Sequence, residues 1–127
     1  MGQCSILVID DGEDFREALQ TALESAGYRV IVAANGRTAS QALANEKLDL
    51  VLTDLLMPDK DGLEVITELK ATRPNLPVIA MSGGGHMHAD DYLTLARALG
   101  AKALLQKPFS NERLLMTIAS VLHDSAA

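Results

Sequence analysis

A doubly wound α/β domain, one parallel sheet covered by helices on both faces, is the fold class the sequence predicts. Three observations lead to it. Five short segments are largely apolar without alternation, which marks strands buried on both faces. Between them, apolar residues recur at spacings of three and four, which marks amphipathic helices. Strand and helix patterns follow one another five times with no long linker, internal repeat or low-complexity tract, and such alternation builds a parallel sheet. The 127 residues suit one domain over 1–127, with no second domain expected after the last helix.

Taken in order, Ser5-Ile6-Leu7-Val8-Ile9 is the first strand and ends at Asp10-Asp11-Gly12. Phe15, Ala18, Leu19, Ala22 and Ala26 form the apolar stripe of the first helix, and Gly27 is placed to stop it. Residues 29–33 are the second strand. Asn35-Gly36 reads as a turn, and Ala39, Ala42 and Leu43 mark a short second helix. The third strand spans 48–53, and Asp54 stands where its apolar run ends. Pro58-Asp59-Lys60-Asp61-Gly62 is turn chemistry leading into a third helix. Asp61 is placed to cap that helix with Glu64 reaching back, Leu63, Ile66 and Leu69 are its stripe, and Arg73-Pro74 ends it. The fourth strand spans 76–81, with Pro77 near its start, where a missing donor is tolerated. After the loop Ser82-Gly83-Gly84-Gly85-His86, a fourth helical stripe is carried by Tyr92, Leu95, Ala96 and Leu99 and stopped by Gly100. Residues 102–106 are the fifth strand. Ser110 caps the last helix between Phe109 and Leu114, which are placed as a hydrophobic staple. Leu114, Ile118 and Leu122 face the core, and 124–127 are expected to fray. Right-handed crossovers leave few topologies for such a (βα)5 chain. The flavodoxin-like order 2-1-3-4-5 is a common one, and in it a crevice opens at the carboxyl ends of the first and third strands.

Composition narrows the function. The net charge is −6 with no lysine or arginine cluster, which argues against a nucleic-acid surface. Tryptophan is absent and aromatics are few, so platforms for stacking bases are missing. The single cysteine, Cys4, permits no internal disulfide and reads as a small residue at the edge of the first strand. No stretch reaches the roughly 18–20 apolar residues of a membrane span, and no signal peptide is visible. A cytoplasmic location is expected.

Four strand ends carry polar groups suited to phosphate chemistry: Asp10 and Asp11, Asp54, Ser82, and Lys107. Singly, each has a plain alternative. Asp54 fits a loop cap, Asp10-Asp11 an acidic helix start, Ser82 a loop hydroxyl and Lys107 a solvated lysine. In the expected fold all of them meet at one sheet edge. Three carboxylates that close repel one another, and a hard divalent cation with oxygen ligands, Mg²⁺, relieves that repulsion. An ionised aspartate is a competent phosphoryl acceptor and needs no general base. Lys107 and the Ser82 hydroxyl supply donors for phosphoryl oxygens.

With these residues in place, the chain resembles the receiver domain of two-component response regulators over essentially its whole length. The motifs are Val8-Ile9-Asp10-Asp11, then Thr53-Asp54-Leu55-Leu56-Met57-Pro58-Asp59-Lys60-Asp61-Gly62, then Met81-Ser82-Gly83 and Leu105-Gln106-Lys107-Pro108-Phe109. The resemblance implies that Asp54 takes a phosphoryl group from a phosphohistidine on a histidine kinase or phosphotransfer protein. It implies Mg²⁺ held by Asp11, Asp54 and the carbonyl of Leu56, with Asp10 orienting waters. It implies that Ser82 and Lys107 move to meet the phosphoryl group. The expected protein is a stand-alone, chemotaxis-type receiver. It is a self-modifying phosphoacceptor rather than a turnover enzyme, monomeric or weakly dimeric, and it signals by phosphorylation-dependent binding of a downstream protein.

Two departures from the family pattern stand out. Leu104 occupies the place of the usual aromatic switch, and a leucine has no ring to rotate in and out. A serine-led loop movement is left to carry the signal. Gly12 stands where many relatives have a further acidic residue. At the positions two after Asp54 and two after Ser82, an apolar Leu56 and an open Gly84 push the phosphate lifetime in opposite directions. The run Gly83-Gly84-Gly85 lacks the Gly-Lys-Ser/Thr of a P-loop, and His86 and His88 lack the partner spacing of a zinc site. The alternatives to a phosphorylated receiver are a flavodoxin-like small-ligand or nucleotide binder and a degenerate receiver that acts unphosphorylated.

Overall fold

The computed structural model describes residues 3–55, 62–83, 94, 97–98 and 100–126. Its elements are β1 (Ser5–Ile9), α1 (Glu13–Ser25), β2 (Arg29–Ala33), α2 (Gly36–Asn45), β3 (Leu50–Asp54), α3 (Gly62–Thr72), β4 (Val78–Ser82), β5 (Ala103–Gln106) and α4 (Asn111–Ala126). The five strands form one parallel sheet in the order β2-β1-β3-β4-β5, as the sequence predicts. Every residue of β1, β3 and β4 is buried, which explains why these strands lack alternation in sequence. No helix among the described residues is long and apolar enough to cross a membrane.

The two faces of the sheet sort its apolar side chains into two cores, because successive residues of a strand point to opposite sides. Leu7, Ile9, Val51, Val78 and Ala80 join Ala39 of α2 and Val65, Ile66 and Leu69 of α3. Ile6, Val8, Leu50, Leu52, Ile79, Met81 and Leu105 join Leu19 and Leu23 of α1 and Leu114, Ile118 and Val121 of α4.

Several boundaries differ from the sequence reading. The pair Asn35-Gly36, expected as a free turn, starts α2. Asn35 Oδ1 accepts from Thr38 N at 2.9 Å, and Asn35 N donates to Thr38 Oγ1 at 3.4 Å, a reciprocal cap. β3 starts at Leu50 rather than at residue 48 and runs on to Asp54. At its entry the Asp49 N–H donates to the Ser5 carbonyl at 2.8 Å, and the Asp49 carboxylate accepts from Ser5 N at 2.8 Å. β4 likewise starts later, at Val78, and includes Ser82, while β5 starts at Ala103. The residues 124–126, expected to fray, continue α4, since no glycine or proline interrupts that stretch.

Other readings hold. Gly27 has φ of +97° and ends α1, with Gly27 N bonded to Glu24 O at 3.0 Å and Tyr28 N to Leu23 O at 3.1 Å, the paired bonds of a Schellman ending. Ser110 Oγ accepts from Arg113 N at 3.0 Å, and Phe109 packs into the same core as Leu114. Cys4 is exposed and free. In the segment of the fourth predicted helix, Thr94, Arg97 and Ala98 are helical and Gly100 has φ of +93°. Tyr92, Leu95, Ala96 and Leu99 lie outside the described residues, as do Asp61 and the residues 84–90.

Candidate functional site

Parallel strands share one direction, so every strand end named above lies at the same edge of the sheet. The ladder bonds carry that edge beyond the strands themselves. Asp10 N donates to Ala33 O at 3.1 Å, Leu55 N to Met81 O at 2.9 Å and Lys107 N to Ser82 O at 2.7 Å. The backbones that bear Asp10, Asp54, Ser82 and Lys107 are thus fixed by the sheet, whose cores lie beneath them.

The side chains converge. Lys107 Nζ donates to Asp10 Oδ2 at 2.8 Å and to Asp54 Oδ2 at 3.2 Å. Carboxylate oxygens of Asp10, Asp11 and Asp54 lie within 4.8 Å of one another. Asp10 and Asp54 are buried and Asp11 is exposed. Further bonds hold Asp10 in place. Its Oδ1 accepts from Gly12 N at 2.8 Å, and its carbonyl accepts from the Arg16 guanidinium at 2.9 Å. Gly12 lets the chain turn close to this carboxylate, because a Cβ there would stand 3.1 Å from Asp10 Oδ1.

Burial pulls the pKa of Lys107 down. The hydrogen bond to Asp10, the charges of Asp54 and Asp10, and the hydrogen bond to Asp54 outweigh it and hold the ammonium above its ordinary value. Among the described residues, these three carboxylates and one ammonium carry a formal net of two negative charges. Such a set matches a hard divalent cation in charge and in donor type. Ser82 adds a second kind of demand. Its Oγ is buried and has no hydrogen-bond partner among the described residues, and a buried hydroxyl left this way costs about 1–3 kcal/mol. A group that brings oxygen acceptors to the sheet edge would satisfy it.

The structure therefore brings together Asp10, Asp11, Asp54 and Lys107 and sets Ser82 at the end of the strand beside Asp54. Leu56 lies outside the described residues. Leu104 sits in β5, half-buried against the core on the α2–α3 side. Phe15, which the sequence pattern assigned only to the stripe of the first helix, lies at the site itself: Lys107 Nζ stands 4.2 Å from its ring centroid. Arg16 was likewise invisible in sequence, where nothing separates it from an exposed helical arginine.

Comparison with known proteins agrees with this arrangement. The model of the response regulator receiver domain matches residues 6–119. The DNA-binding transcriptional regulator NtrC of Bradyrhizobium sp. (strain RP501 Parasponia) is 37% identical over 120 residues, which are 93% of this chain and 24% of that protein. The response regulator SaeR of Staphylococcus aureus is 31% identical over 117 residues, 92% of this chain and 50% of that protein. The chain thus spans about a quarter and a half of the length of these two relatives. The structure of the Vibrio cholerae chemotaxis protein CheY4 superposes with a TM-score of 0.86 at 27% identity, covering 94% of this chain and 99% of that one. Acidic strand ends tied by one lysine, in a sheet of this order, thus accompany a sequence match over most of the chain, and the chain belongs to the response regulator receiver domain family, whose general function is to accept a phosphoryl group.

Proposed function

We propose that Asp54 is the phosphoryl acceptor and that the donor is a phosphohistidine of a histidine kinase or phosphotransfer protein. The observation that carries this reading is the Lys107 ammonium shared between Asp10 and Asp54, with Asp11 beside them. Asp10, Asp11 and Asp54 would hold Mg²⁺, together with the Leu56 carbonyl. When bound, the cation offsets charge on the phosphoryl oxygens. A carboxylate oxygen of Asp54 attacks phosphorus. The new O–P bond forms as the P–N bond to the donor imidazole breaks, and the ring nitrogen keeps the electron pair and takes up a proton. Lys107 and Ser82 donate to the oxygens that arrive, which gives the Ser82 hydroxyl a partner that it does not have among the described residues. Hydrolysis then restores the carboxylate: water attacks phosphorus, the O–P bond to Asp54 breaks, and inorganic phosphate and a proton leave.

In this reading residues 1–127 act as one receiver unit in the cytoplasm, modified rather than turning over a substrate. Signalling runs through phosphorylation-dependent binding of a downstream protein, with movement at Ser82 in place of an aromatic rotation at Leu104. Intact-mass measurement after incubation with acetyl phosphate tests the chemistry. A phosphoryl adduct is expected with Mg²⁺ and is expected to vanish on chelation and in Asp54→Asn. An adduct that survives in Asp54→Asn would place the acceptor elsewhere. Failure of the intact protein to respond to Mg²⁺ at all would favour the unphosphorylated receiver.

A further inference from the structure

The geometry points to Phe15 as a positioning residue for Lys107: its ring is a floor that holds the ammonium over the carboxylates, ready for an arriving anion. This rests on the proposed role of Lys107 as a donor to phosphoryl oxygens. The contact is close, with Nζ 4.2 Å from the ring centroid, and the same Nζ is bonded to Asp10 and Asp54. The face of an aromatic ring is negative, so it attracts the ammonium without adding a formal charge or accepting a strong hydrogen bond. A carboxylate in the same place would compete with the phosphoryl group for the cation, while a leucine would leave the cation unheld on that side.

The ring is itself fixed. Phe109, two residues after Lys107, meets Phe15 with centroids 5.8 Å apart and planes 78° apart, the edge-to-face arrangement that aromatic pairs favour. Both rings pack against the core on the α1–α4 side. The loop after β5 therefore meets one ring of α1 twice, once through the lysine and once through Phe109. Loss of the ring leaves the lysine head held by its bonds to Asp10 and Asp54 without the aromatic contact, and it touches neither carboxylate.

The test is the series Phe15→Leu, Phe15→Met, Phe15→Tyr and Phe15→Trp in the full chain. It reads two quantities: the NMR shift of the Lys107 ε-methylene protons without ligand, and the affinity for beryllofluoride with Mg²⁺. The ring face should move the lysine protons upfield in the native protein, in Phe15→Tyr and in Phe15→Trp, and the shift should collapse in Phe15→Leu and Phe15→Met. Beryllofluoride affinity should fall on the order of three- to tenfold in the leucine and methionine variants and recover in the aromatic ones, while Mg²⁺ affinity stays the same. A native-like lysine shift in Phe15→Leu, or an anion affinity that is unchanged or higher there, would overturn the inference. A native protein with the ring-shifted lysine but no beryllofluoride response would overturn the proposed phosphoryl chemistry and leave the Phe15 contact standing.

Discussion

Lys107 is the residue on which the acidic strand ends depend. Its ammonium is shared by two buried carboxylates, so its removal takes away a positive charge that stands between like charges. Lys107→Met should lower stability at neutral pH by roughly 1–3 kcal/mol without divalent cations. Millimolar Mg²⁺ should recover part of that loss, since a ligand that binds only the native state stabilises it; thermal melts with and without the ion check both. Because folding raises the pKa of Lys107, its pairing contributes fully below the unfolded value of about 10.4 and is lost as pH rises through the raised folded value. The native protein should therefore lose stability faster than Lys107→Met above about pH 10.4, and the two melting curves should approach each other there. Asp10, Asp11, Asp54, Ser82 and Lys107 were legible in the sequence because each stands where an apolar run stops. Phe15 was not. An aromatic at helical spacing reads as core, and its contact with an ammonium exists only once the loop after β5 is folded against α1.

At the level of the element, the site is positioned by how helices begin and end. Asn35 satisfies the start of α2 through Thr38, and Asn35→Ala should cost about 1 kcal/mol of stability, measurable by urea unfolding. Gly27 has φ of +97° with nothing within 4 Å of an added Cβ, so Gly27→Ala isolates backbone strain and should cost about 1–2 kcal/mol. The starts and stops that rest on one residue type, such as Gly27 and Ser110, are readable from sequence. Asn35 was missed because Asn-Gly favours a turn as strongly as a cap, and only the Thr38 hydroxyl folding back decides between them. The strands shifted by one or two residues for a similar reason. Asp54 and Ser82 are polar and so look like loop, yet the ladder continues through them. That continuation immobilises their side chains at the root, which suits the proposed roles of Asp54 as acceptor and Ser82 as donor.

Across the whole molecule, the sheet divides two cores that each seat two of the four described helices. Ile79 lies at the centre of the α1–α4 side with no exposure, and Ile79→Ala should cost about 2–5 kcal/mol while leaving the acidic cluster chemically intact. A melt of that variant with and without Mg²⁺ should show the lower stability and a near-native increment from the ion. Lys107 also spans the sheet in a way that reaches past chemistry. Its backbone N–H is bonded to β4, and its ammonium to Asp54 of β3 and to Asp10 beyond β1, so one residue of the β5 end ties together strands that stand about 14 Å apart from first to last. When a phosphoryl group on Asp54 takes up the ammonium, as proposed, the bond to Asp10 beyond β1 is given up and the margin of the sheet loses part of its strap. Amide hydrogen exchange along β5 should then register the occupancy of a carboxylate two strands away, which makes the outer strand a gauge of the proposed acceptor.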